Sequence, residues 1–163
     1  MKLLAKTPIR ILGIDPGSSR IGFGLIEKKG QTLSLIKTGV LEIPKGDAAP
    51  KLALLANAFK KLLKESKPSA IGIERLFFTK NIKTGIEVAQ ARGVILHLSH
   101  ECAPTYEFTP QQVKVATTNY GGADKKAVAR MVALLLTVPP LKILDDATDA
   151  LAIAIATAGI HRP

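Results

Sequence analysis

Arg10-Ile11-Leu12-Gly13-Ile14-Asp15-Pro16-Gly17 decides the reading of this chain. An aliphatic run with strand spacing ends in one carboxylate, and Pro16-Gly17 then forces the backbone to turn. Asp15 therefore closes a central strand, where a buried carboxylate needs a cation, a metal or several donors. Downstream, Ser69-Ala70-Ile71-Gly72-Ile73-Glu74 repeats the pattern: a short buried strand with a glycine two residues before its terminal acid. Period-two alternation puts Gly13 with Asp15, and Gly72 with Glu74, on one face of each strand. A helix laid on that face can approach both strands closely.

The last apolar segment is suited to be that helix. In Leu144-Asp145-Asp146-Ala147-Thr148-Asp149-Ala150-Leu151-Ala152-Ile153-Ala154, Asp146 and Asp149 stand at i and i+3 on one face of the first turn. Ala150, Ile153 and Ala154 continue that face, small enough to meet the glycines. Packing there would gather Asp15, Glu74, Asp146 and Asp149. The plainer alternative makes Asp145 an N-cap and the other acids complements of the helix dipole; Asp145, at i+4 from Asp149, is also open as a ligand in place of Asp146. Four crowded acids repel unless a cation neutralises them, and all-oxygen ligation selects Mg²⁺ or Mn²⁺. Two such ions about 4 Å apart suit phosphodiester hydrolysis, activating a water on one side and stabilising the departing oxygen on the other.

Between these poles the chain alternates strands and helices. Ile21, Phe23 and Leu25 alternate with Gly22 and Gly24, a second strand whose bare face calls for something packed closely on it, a helix in preference to a ligand backbone. Gln31 to Ile43 is a third strand. Leu52 to Leu63 has helical spacing, Thr84 to Ser99 is a second long helix, and Thr105 to Phe108 is a fifth strand. Gly85, Ala89 and Gly93 form a small-residue ridge suited to packing on the sheet or across a twofold axis. Thr109-Pro110 opens a short helix presenting Lys114, Thr117 to Ala123 reads as a flexible loop, and Asp124 caps a further helix. Lys125 and Lys126 fall in that helix's first turn, where the dipole disfavours cations; a phosphate site would explain them, and two solvated lysines at a small cost are the equal alternative. His97, His100 and Glu101 lack a further ligand at a recognisable spacing and read as surface residues.

Length predicts one domain, residues 1–163. With 23 Lys+Arg against 13 Asp+Glu, a formal net charge of +10, the chain suits a polyanionic partner, nucleic acid first. Arg75, Lys80 and Lys83 surround Phe77-Phe78 in a chain only 4% aromatic; one of the two rings is expected to be free to stack on a base. Cys102 stands alone and reads as a small core residue in a reducing compartment. No segment suits a signal peptide or a membrane span, so the expected location is the cytoplasm.

Gly13-Ile14-Asp15-Pro16-Gly17, Ile73-Glu74 with Phe77-Phe78 and Asn81, Gln90-Ala91-Arg92-Gly93, Gln112-Val113-Lys114, and Asp146-Ala147-Thr148-Asp149-Ala150-Leu151-Ala152 together resemble the RuvC family of Holliday-junction resolvases over nearly the whole chain. The resemblance implies an α/β ribonuclease-H-like fold with a mixed five-stranded sheet flanked by helices, and a homodimer making paired symmetric nicks in four-way junction DNA. It maps the catalytic, metal-binding acids onto Asp15, Glu74, Asp146 and Asp149, the wedge aromatic onto Phe77, and DNA-contacting lysines onto Lys114 and Lys125, with Lys80 and Lys126 beside them. It also implies a branch-migration helicase as partner, and a dimer contact through the helix bearing Gly85, Ala89 and Gly93. Arg75 departs from the uncharged residue common after the glutamate. Asp15-Pro16-Gly17-Ser18-Ser19 also resembles the phosphate-binding start of actin-like kinases, which require a second such domain. A non-catalytic junction-binding module is the remaining alternative.

Overall fold

The computed structural model describes residues 7–75, 82–139 and 145–162. Strands β1 (Ile9–Asp15), β2 (Arg20–Lys29) and β3 (Thr32–Glu42) form an antiparallel meander, and β4 (Ala70–Glu74) and β5 (Thr105–Phe108) extend it in parallel on the other side of β1. The result is the expected mixed five-stranded sheet, in the order β3-β2-β1-β4-β5. Parallel neighbours need crossover connections, which α1 (Ala48–Ser66) and α2 (Ile82–Cys102) provide. Lys67 stops α1 in the left-handed region at φ 46°, and Pro68 follows.

Strand alternation sorts the core onto two faces. Leu12, Ile14, Ile21, Phe23, Leu25, Ile71 and Ile73 pack against Leu55 and Phe59 of α1 and Ile95 and Leu98 of α2. Helix α5 (Asp145–Ile160) covers the opposite face and is covered in turn by α3 (Pro110–Thr118) and α4 (Lys125–Leu135). Enclosed on both sides, α5 is buried from Ala147 to Ala158 save for Asp149, which accounts for its apolar composition all round. The bare face of β2 meets the helix that its glycines call for, and that helix is α5.

The predicted caps form. Thr109 and Gln112 make a reciprocal capping box at α3, and the Asp124 carboxylate accepts from the Ala127 amide at 2.7 Å. Two local expectations change. Helix α3 continues through Thr117 and Thr118 before Asn119 ends it at φ 59°; the connection is shorter than the glycines suggest because Thr117 is buried in the core and the left-handed Asn119 closes the helix, its amide donating to the Val115 carbonyl at 2.8 Å. Cys102 is exposed rather than in the core, because the buried face of α2 ends at Ser99. No helix among the described residues is long and apolar enough to cross a membrane.

Candidate active site

Asp15 and Glu74 close neighbouring parallel strands whose register runs from Ile11↔Ala70 to Ile14↔Ile73, so the acids follow at the next step. Both lie on the α5 face. Gly13 permits the approach: a Cβ built there would overlap the Ala150 carbonyl oxygen and lie 2.5 Å from the Ala154 nitrogen. At Gly72 it would strike the Thr157 hydroxyl and lie 3.0 Å from Ile153 Cγ2. The glycines of β2 act in the same way. Gly24 lies under Leu151, with a built Cβ 2.8 Å from that backbone nitrogen, and Gly22, paired with Asp15, would collide with the carbonyl of Asp146. Removing side chains at these positions lowers the first turn of α5 onto the ends of β1 and β4.

The electrostatics record that crowding. Burial first, then the charges of Glu74, Asp149 and Asp146, push the Asp15 carboxyl from 3.8 to about 8, and its hydrogen bond with Glu74 adds to the rise. Glu74 is also raised, by burial and by Asp149, while the bond from Asp15 and the charge of Lys125 act the other way. Asp15 and Glu74 therefore share a hydrogen bond as a pair of raised carboxyls, which favours retention of a proton between them. Burial raises Asp149 too, opposed by Lys125. Lys125 Nζ lies 3.4 Å from Asp149 and 4.0 Å from Asp145, and Asp149 raises its pKa. Arg20, at the start of β2, donates from Nε to Asp146 Oδ2 at 3.0 Å, and its Nη1 lies 3.4 Å from Glu42.

Each of the four predicted acids thus belongs to one electrostatic cluster. Asp146 and Asp149 are paired with Arg20 and Lys125, and among the described residues no three His, Cys, Asp or Glu stand together as a group that could hold a metal ion. Asp145 is the first residue of α5, with its side chain 82% exposed. His97 pairs with Glu101 at 3.7 Å on the surface of α2. Lys114 is half-buried on α3 and Lys126 exposed on α4. Phe77, Phe78 and Lys80 lie outside the described residues. Sequence reading does not single out Arg20, and gives Lys125 a phosphate but not its carboxylate partner. A cation in the first turn of a helix is the signal for Lys125; nothing local marks Arg20.

A sheet of this order, with acids ending its first and fourth strands and a helix of acids laid across them, defines the ribonuclease-H-like class. Residues 11–157 match the family described as Crossover junction endodeoxyribonuclease RuvC. Similar chains of that name come from Thermosipho melanesiensis, 47% identical over 90% of this chain and 94% of the relative, and Petrotoga mobilis, 45% identical over 93% and 94%. Thermus thermophilus RuvC in complex with Holliday junction substrate has a similar structure, with a TM-score of 0.84, 29% identity, and coverage of 92% of this chain and 93% of that one. The present chain belongs to the RuvC family of crossover junction endodeoxyribonucleases.

Proposed function

We propose that residues 1–163 form one nuclease domain that resolves four-way DNA junctions in homologous recombination and repair, cutting two strands symmetrically as a homodimer. The carrying observation is the convergence of Asp15, Glu74, Asp146 and Asp149 in a chain of the RuvC family. The Thermus thermophilus relative, bound to its junction substrate, supports four-way DNA as the substrate here.

The donors fit a hard divalent cation. They are carboxylate oxygens only, with the Asp15 carboxyl raised to about 8 by burial and by its acidic neighbours, and with Asp146 and Asp149 paired with the exposed side chains of Arg20 and Lys125. Asp15, Glu74, Asp146 and Asp149 would hold Mg²⁺, or Mn²⁺, with two ions per site in our reading. When bound, the cation supplies charge neutralisation and a water ionisable near neutral pH. The protein's own part is to hold these acids rigidly at the strand ends and to keep a cationic rim around them. Lys125 stands at that rim, with Lys126 next to it in sequence. Together with Lys80 and Lys114 they would bind phosphates, and Phe77 would stack at the crossover. Gly93 and Ala89 on the exposed side of α2, with Ile86 55% exposed, support a dimer contact there. A branch-migration helicase partner and a cytoplasmic location complete the reading.

The test is a labelled four-way junction incubated with and without Mg²⁺. Paired, metal-dependent nicks are expected, with little cleavage of linear duplex. Glu74→Gln should bind the junction and fail to cut it. ATP turnover without strand cleavage would sink the proposal, and near-normal cleavage by Glu74→Gln would show that the site is elsewhere.

A further inference from the structure

We infer that Arg92 is the positioning residue for Glu74, tying the end of β4 to α2 and β5 through one guanidinium group. This rests on the reading of Glu74 as a metal ligand. Glu74 is the last residue of β4, one step beyond the final pair with β1. On the other side the ladder ends at Glu74↔Phe108, where the Arg75 amide donates to the Phe108 carbonyl at 2.7 Å. The Glu74 carbonyl accepts from Arg92 Nε at 3.0 Å. Arg92 Nη2 donates to the Glu107 carboxylate, and Glu107 is the register partner of Ile73 on β5. One planar fork therefore fastens the main chain of the acid, the neighbouring strand and the helix that bears Arg92.

The Arg92 side chain is only 16% exposed, so solvent does not replace these contacts readily. Its removal leaves a main-chain carbonyl without its donor and Glu107 without its counter-ion. The orientation of the Glu74 carboxylate follows from the backbone that Arg92 holds, and misplacement of a reacting group by about 1 Å costs on the order of 100-fold in rate. Arginine is required rather than any cation: the fork meets two acceptors in fixed geometry, whereas a lysine ammonium is a point charge on a flexible stem. Location adds a consequence. Arg92 lies between buried Ala91 and exposed Gly93, so a shift of α2 on its outer side moves the anchor of Glu74.

The experiment measures Mn²⁺ binding by calorimetry without DNA, junction affinity in chelator, and kcat and KM for junction cleavage, below the unfolding temperature of every variant. Glu74→Gln is the control on the site itself: it should lose Mn²⁺ binding, and if it binds as wild type the site reading fails whatever Arg92 does. Arg92→Gln should weaken Mn²⁺ roughly 10- to 100-fold and lower kcat with KM little changed, while junction affinity in chelator stays near wild type. Arg92→Lys, which keeps the charge and loses the fork, should recover only part of the loss, and Glu107→Gln should show a smaller defect of the same kind. These two variants carry the test if Arg92→Gln does not fold. Folded Arg92 variants with wild-type Mn²⁺ affinity and kcat, or an Arg92→Lys variant that matches wild type in both, would overturn the inference and leave Arg92 a purely structural tie.

Discussion

Replacing Asp15 with asparagine should stabilise the metal-free protein at neutral and alkaline pH while destroying its activity. The Asp15 carboxyl is raised from 3.8 to about 8 by burial and by Glu74, Asp149 and Asp146. Between those values the native state keeps a proton that the unfolded chain has released, so stability falls as pH rises through the window. At about 1.36 kcal/mol per pH unit the upper bound is roughly 6 kcal/mol. Water entering a half-buried cleft and relaxation of the acids reduce this to about 2–3 kcal/mol. Asparagine carries no such penalty, and its amide can donate to Glu74 at every pH, as the Asp15 proton does only when retained. Urea unfolding in chelator from pH 5 to pH 9 measures the effect on the acid cluster, because titrating groups outside Asp15, Glu74, Asp146 and Asp149 are shared and cancel in the difference. The gap between the two proteins should be smallest near pH 5 and widen as pH rises toward 8. At pH 9 the variant's midpoint should lie about 1 M higher, given a slope of about 2 kcal/mol per molar urea. Added Mg²⁺ should raise the wild type far more than the variant. Parallel curves across the pH range, or a variant less stable at pH 9, would refute the claim that these carboxylates are held together against their repulsion.

Gly13→Ala should cost roughly 1–3 kcal/mol or more through overpacking, because the new methyl meets the backbone of α5 at Ala150 and Ala154; chemical denaturation measures the cost, and cleavage should fall with it. Lys125→Ala removes the charge that opposes the burial-driven rise of the Asp149 pKa, so the pH dependence of Mn²⁺ binding should move to higher pH, and an unmoved profile would deny the contact any electrostatic role. Junction affinity in chelator should fall steeply with salt, by roughly 40- to 500-fold between 50 and 200 mM for about three to five phosphate contacts; a flat response would argue against lysine-dominated binding. Phe77→Ala should impair cutting of intact junctions more than Mn²⁺ binding, and equal activity across substrates would make Phe77 a core residue.

The strands bearing Asp15 and Glu74 are legible because a local pattern, glycine then acid on one face, already contains their shared orientation. Helix α5 is legible for the same reason: Asp146, Asp149 and the alanines after them define one stripe. What local pattern cannot contain is the partner of a long side chain. Arg20 reaches Asp146 across 126 residues and Arg92 reaches Glu74 across 18, contacts decided by how β2 lies under α5 and how α2 crosses β5. Lys125 falls between these cases. Its awkward place at a helix start is visible in sequence, but its partner Asp149 emerges only when α4 packs on α5.

The glycines show which way the energetic argument runs. Alanine at Gly13, Gly22 or Gly72 would hold α5 farther from the sheet and its acids farther from Asp15 and Glu74. The fold instead closes that distance, and the result is a carboxyl raised to about 8, a loss in stability rather than a gain. Arg20 and Lys125 offset part of it from exposed positions, as temporary counter-ions would. An arrangement that spends side-chain volume on four strand positions to bring like charges together makes little sense as packing. It would make sense with a multivalent cation among the acids, as proposed above, because the proximity that destabilises the metal-free protein would then be the source of affinity for the ion.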